Sequence, residues 1–434
     1  MRVPHSAATL TPLSQSEKIL STGLERYVGA FAAWLTPRRL RAHALVLAVC
    51  LWAVFIADYA VPGIFDRAGN IKFQDFATFS TAAQLIAHGR AGDLYRDPAF
   101  EEAIRSIAGR ESKVRLVYLY GPQVALAFVP FTRFPFLVQA QAWAGLTVLI
   151  YFACVYLLWR ACPYLRPYAG LVTICAIGYP PLFHVIVRGQ LSAVTVTCFT
   201  AACLAFLADQ EWLCGFALGC LMFKPSFLVA IPLILLFARA WKILAACAIS
   251  AAAQVALASA LFGQGLMRQY ANSLLQNATN PNVLDIGSPV QRHSLAAFWS
   301  LLIPWTQAVW VLYLLSSLIV IGLATLMWRS SGPRGLRFSG LILAAILIDP
   351  HLYVYDLLAL APVFLIAADW ILGGNSGSSR SWLAVLLYLA FLLPLFGPLS
   401  RWTHLQLSVP VLCVLLWVLW RQMPAITVNR PRQT

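Results

Sequence analysis

AHALVLAVCLWAVFIADYAV (residues 42–61) is a twenty-residue apolar run in which His43 and Asp58 are the main polar interruptions. Wound as an α-helix, twenty residues cover about 30 Å, the thickness of the hydrocarbon core of a bilayer. The run is too long for the core of a removable leader. The polar, basic stretch before it has no small-residue cleavage pattern. It therefore reads as a retained anchor, with residues 1–41 as an N-terminal tail outside the membrane.

The rest of the chain repeats this pattern. Of 434 residues, 60% are hydrophobic and 11% charged, whereas a soluble domain carries about 25% charged residues. A water-solvated globule could not hide so much apolar surface, so a bilayer must cover it. Candidate spans fall at 42–61, 136–159, 168–187, 190–208, 212–223, 226–238, 241–262, 306–328, 338–349, 352–371, 381–397 and 403–420. The stretches 117–130 and 294–304 are apolar but too short to cross, and read as re-entrant or interfacial helices. The expectation is an all-α polytopic membrane protein with about twelve transmembrane helices, forming one domain over 42–420, followed by a tail at 421–434.

Net charge is +15, from 31 Lys and Arg against 16 Asp and Glu. The basic residues stand in short clusters between apolar runs, which suits anionic headgroups and orientation signals rather than nucleic acid. The richer side holds Arg38, Arg39, Arg41, Arg160, Arg166, Arg239, Lys242, Arg329, Arg334, Arg337, Arg380 and Arg421. By the positive-inside rule this side is cytoplasmic and carries both termini. Two longer connections then lie outside: 62–116, expected as two short helices on the membrane surface, and 263–292. The insert 62–116 has eight basic and seven acidic residues, so it adds little orientation signal of its own. Gly373–Ser379 reads as a flexible inner loop. Ten cysteines lie mostly within apolar runs with no CxxC, and read as small hydrophobes rather than as disulfides or zinc ligands.

Ionisable residues near hydrocarbon are costly and usually functional. On this topology the outer face collects Asp66, Asp75 and Asp93 of the insert, Tyr118 and Tyr120, the Arg188-Gly189-Gln190 turn, Lys224-Pro225, Gln291-Arg292-His293, and Asp349-Pro350-His351 with Tyr353, Tyr355 and Asp356. The inner face shows plain basic connections. One-sided polarity and unrelated halves argue against a transporter, which places ion ligands near the midplane between related repeats. They suit an enzyme whose substrate has its tail in lipid and its head outside.

QDFATFSTAAQLIAHGRAGDLY (74–95), VYLYGPQVALAFVPF (117–131), GQLSAV (189–194), FKPSFLVAIPLIL (223–235), QRHSL (291–295) and DPHLYVYDLLAL (349–360) together resemble, in order, the outer-face motifs of glycosyltransferase family 87, the polyprenol-phosphate-mannose-dependent α-mannosyltransferase type. Gly121 separates Tyr120 from Pro122, a departure from the family's Tyr-Pro pair. The resemblance implies a GT-C fold with a catalytic carboxylate in the first outer loop. It also implies a polyprenyl-phosphate sugar donor, a lipid-linked or envelope glycan acceptor, and transfer on the periplasmic side of the inner membrane.

Asp75 is then the candidate general base, since an acceptor hydroxyl must lose its proton as it attacks the sugar; as a helix N-cap it would be merely structural. Lys224, Arg188 and Arg292 are candidates for the donor phosphate, or else anchors reaching towards headgroups. Gln190 binds sugar hydroxyls or caps a turn. His351 contacts phosphate or sugar, or orients Asp75. Tyr118, Tyr120, Tyr353 and Tyr355 stack on sugar, or belong to an interfacial aromatic belt. Asp93 reads as structural, and Asp356 as the partner of a cation. No metal site and no cofactor are suggested beyond the lipid-linked co-substrate, with a loosely held divalent cation left open. The alternatives are a lipid-glycan flippase and a non-catalytic envelope scaffold.

Overall fold

The computed structural model describes residues 15–109, 116–279, 291–374 and 378–424. Among these the chain is helical, with two isolated β-bridges, Phe65–Ile71 and Arg292–Tyr353. The protein is an all-α polytopic membrane protein. Residues 280–290, most of the C-terminal tail and the centre of the Gly373–Ser379 connection lie outside the described residues.

Six helices among the described residues are long and apolar enough to cross a bilayer: Pro37–Tyr59, Phe136–Ala161, Trp241–Gln276, Thr306–Arg329, Val354–Leu372 and Ser379–Thr403. A seventh crossing is formed if Pro163–Ile177 and Pro180–Arg188, bent by 47°, count as one. Of the other expected spans, several are shorter apolar helices: Ser192–Leu207, Glu211–Phe223, Pro225–Phe237 and Ser408–Arg421. The break between the second and third of these follows from Pro225. A residue before proline is pushed away from helical angles, and Lys224 adopts φ −132°, ψ 79°. The break leaves the Lys224 side chain at the meeting point of two half-helices.

Arg334–Ile348 is the central helix. Every residue from Phe338 to Ile348 is buried, as expected of a helix that is apolar all round. In lipid the hydrophobic effect does not drive helices together, so close packing must. Gly215 and Gly219 supply it: a Cβ on either would come within 2.4 Å of a backbone carbonyl of the facing helix, Ile243 O or Cys247 O.

The outer connections are more closely packed than an open loop. The insert holds the two short helices expected of it, Gln74–Ala87 and Asp97–Ala108, and the first is packed into the protein. Phe76, Ala77, Phe79, Ser80, Thr81, Ala82 and Ala83 are fully enclosed. Phe79 stacks on Phe128 at 5.5 Å, and Ser80 donates to Gln139 Oε1 at 2.8 Å, which docks the insert on Phe136–Ala161. The stretch after 262 does not begin as an open loop either. Helix Trp241–Thr279 continues through it, broken in angle only at Gly263 (φ 77°, ψ 159°).

Candidate active site

The groups expected on one face gather at one end of the bundle, beside the insert helix. Phe73 precedes that helix in the left-handed region (φ 53°, ψ 46°), an uncommon conformation for a bulky residue. Its ring is buried against Tyr59 and Phe55. Lys72 holds the same corner: its Nζ donates to the carbonyls of Tyr59, Val61 and Gly63. This closed corner sets where Asp75, in the first turn, begins. Asp75 does not cap the helix: the N-cap is Phe73, with no side-chain cap bond.

Opposite Asp75 stands the Arg188-Gly189-Gln190 turn. Gly189 ends helix Pro180–Arg188 at φ 71°, its N–H donating to the Val185 and Ile186 carbonyls. A Cβ there would sit 2.6 Å from Phe76 Cβ. Glycine is therefore needed both for the left-handed angle and for the close approach to the insert helix. That approach brings Gln190 Nε2 to 2.5 Å from Asp75 Oδ2. Gln190 Oε1 accepts from the Tyr120 hydroxyl at 3.2 Å, and its backbone carbonyl accepts from Trp143 Nε1 at 3.2 Å. The Tyr95 hydroxyl donates to the Tyr120 carbonyl at 2.7 Å. Asp75 Oδ1 faces Arg188 NH1 at 3.6 Å, with 16% of the Asp75 side chain and 31% of the Arg188 side chain exposed. Arg188 NH2 donates to Gln291 Oε1 at 3.1 Å.

A second group lies behind the first. Lys224 Nζ is 2.5 Å from Asp356 Oδ1, and Asp356 is wholly enclosed. Ser192 donates to the same carboxylate at 3.0 Å, and the Tyr353 N–H donates to its other oxygen at 3.2 Å. Asp349 is also wholly enclosed. It accepts from Ser226 Oγ and from the His351 N–H, each at 2.8 Å. Lys224 and these two donors offset the cost of enclosing the Asp349 carboxyl. With one ammonium facing two buried carboxylates, Lys224 serves first as a counter-ion within the protein. Its Nζ also lies over the Phe227 and Tyr355 rings.

A third group carries cationic and neutral donors. Arg292 is bridged to Tyr353 through the backbone, and its carbonyl accepts from Gln406 Nε2. Arg292 Nε and His351 Nδ1 are buried without a hydrogen-bond partner among the described residues. Burial first, then the charges of Arg292 and Lys224, hold the His351 imidazole down at about 4, so it is neutral near pH 7. Tyr353 stacks on Tyr355 at 5.4 Å. Arg292, Asp75, Arg188 and Asp356 all act on Tyr353 electrostatically, which places it between the first and third groups. His351 is not bonded to Asp75; its hydrogen bond, through the backbone, is to Asp349.

Tyr118 stands apart. It is 2% exposed, donates to the Gly121 carbonyl, and packs against Tyr95, Phe100 and Phe79. Asp93 pairs with Arg90 and Arg96, and Asp66 accepts from the N–H groups of Ala68 and Asn70; both shape the insert. Sequence reading gave no role to Lys72, Tyr95, Trp143, Ser192, Ser226 or Asp349. Serine, tyrosine and tryptophan carry no local signal of a distant partner, and Asp349 stood out only as an acid in an apolar region. Among the described residues no group of three or more His, Cys, Asp and Glu is placed to hold a metal ion.

The family model of glycosyltransferase family 87 matches residues 118–350. That is just over half of the chain and takes in Tyr120, Arg188, Gln190, Lys224, Arg292 and Asp349. No curated protein and no solved structure matches the chain.

Proposed function

The chain belongs to glycosyltransferase family 87 and is a membrane glycosyltransferase; on that premise we propose that it moves a hexose, most simply mannose, from a polyprenyl-phosphate carrier to a hydroxyl of a lipid-linked or envelope glycan. The transfer inverts the sugar and takes place on the periplasmic side of the inner membrane, with both termini cytoplasmic.

The observation that carries this reading is the Asp75 carboxylate, clamped by Gln190 and faced by the Arg188 guanidinium at the open end of the bundle. The acceptor oxygen attacks C1 as its proton passes to Asp75. The bond from C1 to the phosphate oxygen breaks, and both its electrons leave with the polyprenyl phosphate. One base on the face opposite the leaving group suffices, because a phosphate leaves without being protonated. Arg188 and the unpartnered Nε of Arg292 supply charge to the departing phosphate, and neutral His351 offers a ring nitrogen to phosphate or sugar. Lys224, bound to Asp356, contributes its field and holds the floor of the site. Gln190 orients Asp75, and Tyr120 and Tyr353 line the sugar position. The cationic side chains can carry the charge of the leaving phosphate, and the rate measured with and without a chelator tells whether a divalent cation shares that work.

A lipid-glycan flippase would need polar groups through the whole depth of the bilayer. The buried ion pair and its neighbouring carboxylate instead gather at one end, which favours chemistry over transport. A scaffold would tolerate loss of Asp75. The test is Asp75→Asn in membranes supplied with polyprenyl-phosphate-mannose. Transfer should fall by about a hundredfold to ten-thousandfold, the usual contribution of a positioned base. Undiminished transfer would remove Asp75 from the mechanism.

A further inference from the structure

At the other end of the bundle lies a chamber of about 750 Å³. It opens away from Asp75, although its deep end at Tyr179 and Ala361 backs onto the segment that carries Asp356, the Tyr179 hydroxyl donating to the Leu357 carbonyl. The helix Pro37–Tyr59 touches the site corner through Tyr59, whose carbonyl takes a bond from Lys72. The chamber instead uses the first turns of that helix, Pro37, Leu40 and His43, about 24–33 Å away along the axis. Phe136–Ala161 shows the same division: Trp143 reaches Gln190, while Tyr151 and Val155 face the chamber.

The lining is mostly apolar and comes from the N-terminal helix, the first crossing, residues 151–179 and residues 361–391. Its polar features are confined. His43 Nδ1 and the Tyr388 hydroxyl meet at 2.8 Å, and Arg380 and Ser381 stand at the start of helix Ser378–Leu392. Arg380 is exposed and has no acidic partner among the described residues. Among the described residues no carboxylate lines the chamber. The same end carries Arg39, laid over Trp34 at 4.9 Å, and the basic residues Arg38 and Arg41 beside it. A volume within the range of ligand pockets, apolar walls and Arg380 as the one Lys, Arg, Asp or Glu of the described lining are complementary to a molecule with a hydrocarbon chain and a negative head; the nearby Asp369 carboxylate is taken up by the Tyr164 and Leu165 N–H groups.

We propose that this chamber binds one anionic phospholipid, its acyl chain filling the apolar volume and its phosphate held at Arg380. On the topology proposed above, Arg380 and Arg38, Arg39 and Arg41 face the cytoplasmic leaflet, away from Asp75, so the chamber would hold a structural or regulatory lipid and not the sugar donor.

The experiment reconstitutes the full chain into vesicles of mixed phosphatidylglycerol and phosphatidylcholine, extracts it in detergent, and weighs the retained lipid by native mass spectrometry. One phosphatidylglycerol should be kept in preference to phosphatidylcholine. Arg380→Ala should weaken that preference about fivefold, the effect of one basic residue near anionic lipid. Ala384→Trp, which fills the chamber, should abolish retention. Should Ala384→Trp fail to fold, exposed Arg380→Ala decides alone. The proposal is overturned by equal retention of both lipids, or by retention unchanged in the variants. It is also overturned by displacement of phosphatidylglycerol by polyprenyl phosphate. Lipid found only when residues 1–14 are deleted would give the chamber to the chain's own N-terminus.

Discussion

Asp75 and Gln190 lie 115 residues apart in the chain and meet at 2.5 Å, with the Gln190 amide oriented by Tyr120 on its other side. The amide has one donor edge and one acceptor edge. Because Tyr120 donates to the oxygen, the nitrogen must face the carboxylate. The pair therefore sets both the position and the rotation of Asp75.

If Gln190 positions the base, Gln190→Ala should lower kcat by about tenfold to a hundredfold, within the range lost when a catalytic group shifts by about an ångström, while leaving the KM for donor nearly unchanged. Gln190→Glu should do worse, since it sets a like charge against Asp75. Steady-state rates with varied donor separate the two effects. A raised KM with intact kcat would make Gln190 a sugar ligand instead.

Gly189 is held at positive φ with Phe76 Cβ 2.6 Å from where a Cβ would stand. Gly189→Ala should therefore destabilise the protein by about 1–3 kcal/mol, through backbone strain and overpacking together. It should also lower activity, because the insert helix has to shift. Thermal unfolding in detergent measures the first effect and transfer assays the second; an unchanged midpoint would contradict the close approach.

The Lys224–Asp356 pair predicts a double-mutant cycle. Lys224→Met leaves a carboxylate enclosed without its cation, and breaking a buried pair costs about 3–5 kcal/mol. Lys224→Met with Asp356→Asn should recover much of that stability, though not the activity. Additive losses in unfolding midpoints would mean the two side chains act independently.

Acid should destabilise the fold through His351. Folding holds its imidazole at about 4, whereas in the unfolded chain it titrates near 6.5. Between those values the unfolded state binds the extra proton. The contribution is complete above pH 6.5 and is lost as pH falls towards 4. His351→Gln should flatten the fall in unfolding midpoint over that interval. A smaller slope should remain from His293, which burial holds at about 3. An undiminished slope in the variant would place the acid sensitivity elsewhere.

The bilayer-spanning, all-helical architecture was determined by the sequence alone, because spanning is a one-dimensional property: a run such as 42–61 must find hydrocarbon wherever the rest of the chain goes. The break at Lys224-Pro225 was equally local, since proline acts on its own neighbours. Asp75, Arg188, Gln190 and Lys224 could be singled out because polar groups beside apolar runs are costly. What each of them touches was decided only by the tertiary structure. Asp75 lies in a helix packed into the protein, Lys224 is matched to Asp356, and Tyr118 belongs to the core although Tyr120, two residues on, belongs to the site. Those outcomes depend on helices more than a hundred residues apart arriving at one place, and such meetings arise from packing, which leaves no mark on the local pattern of residues.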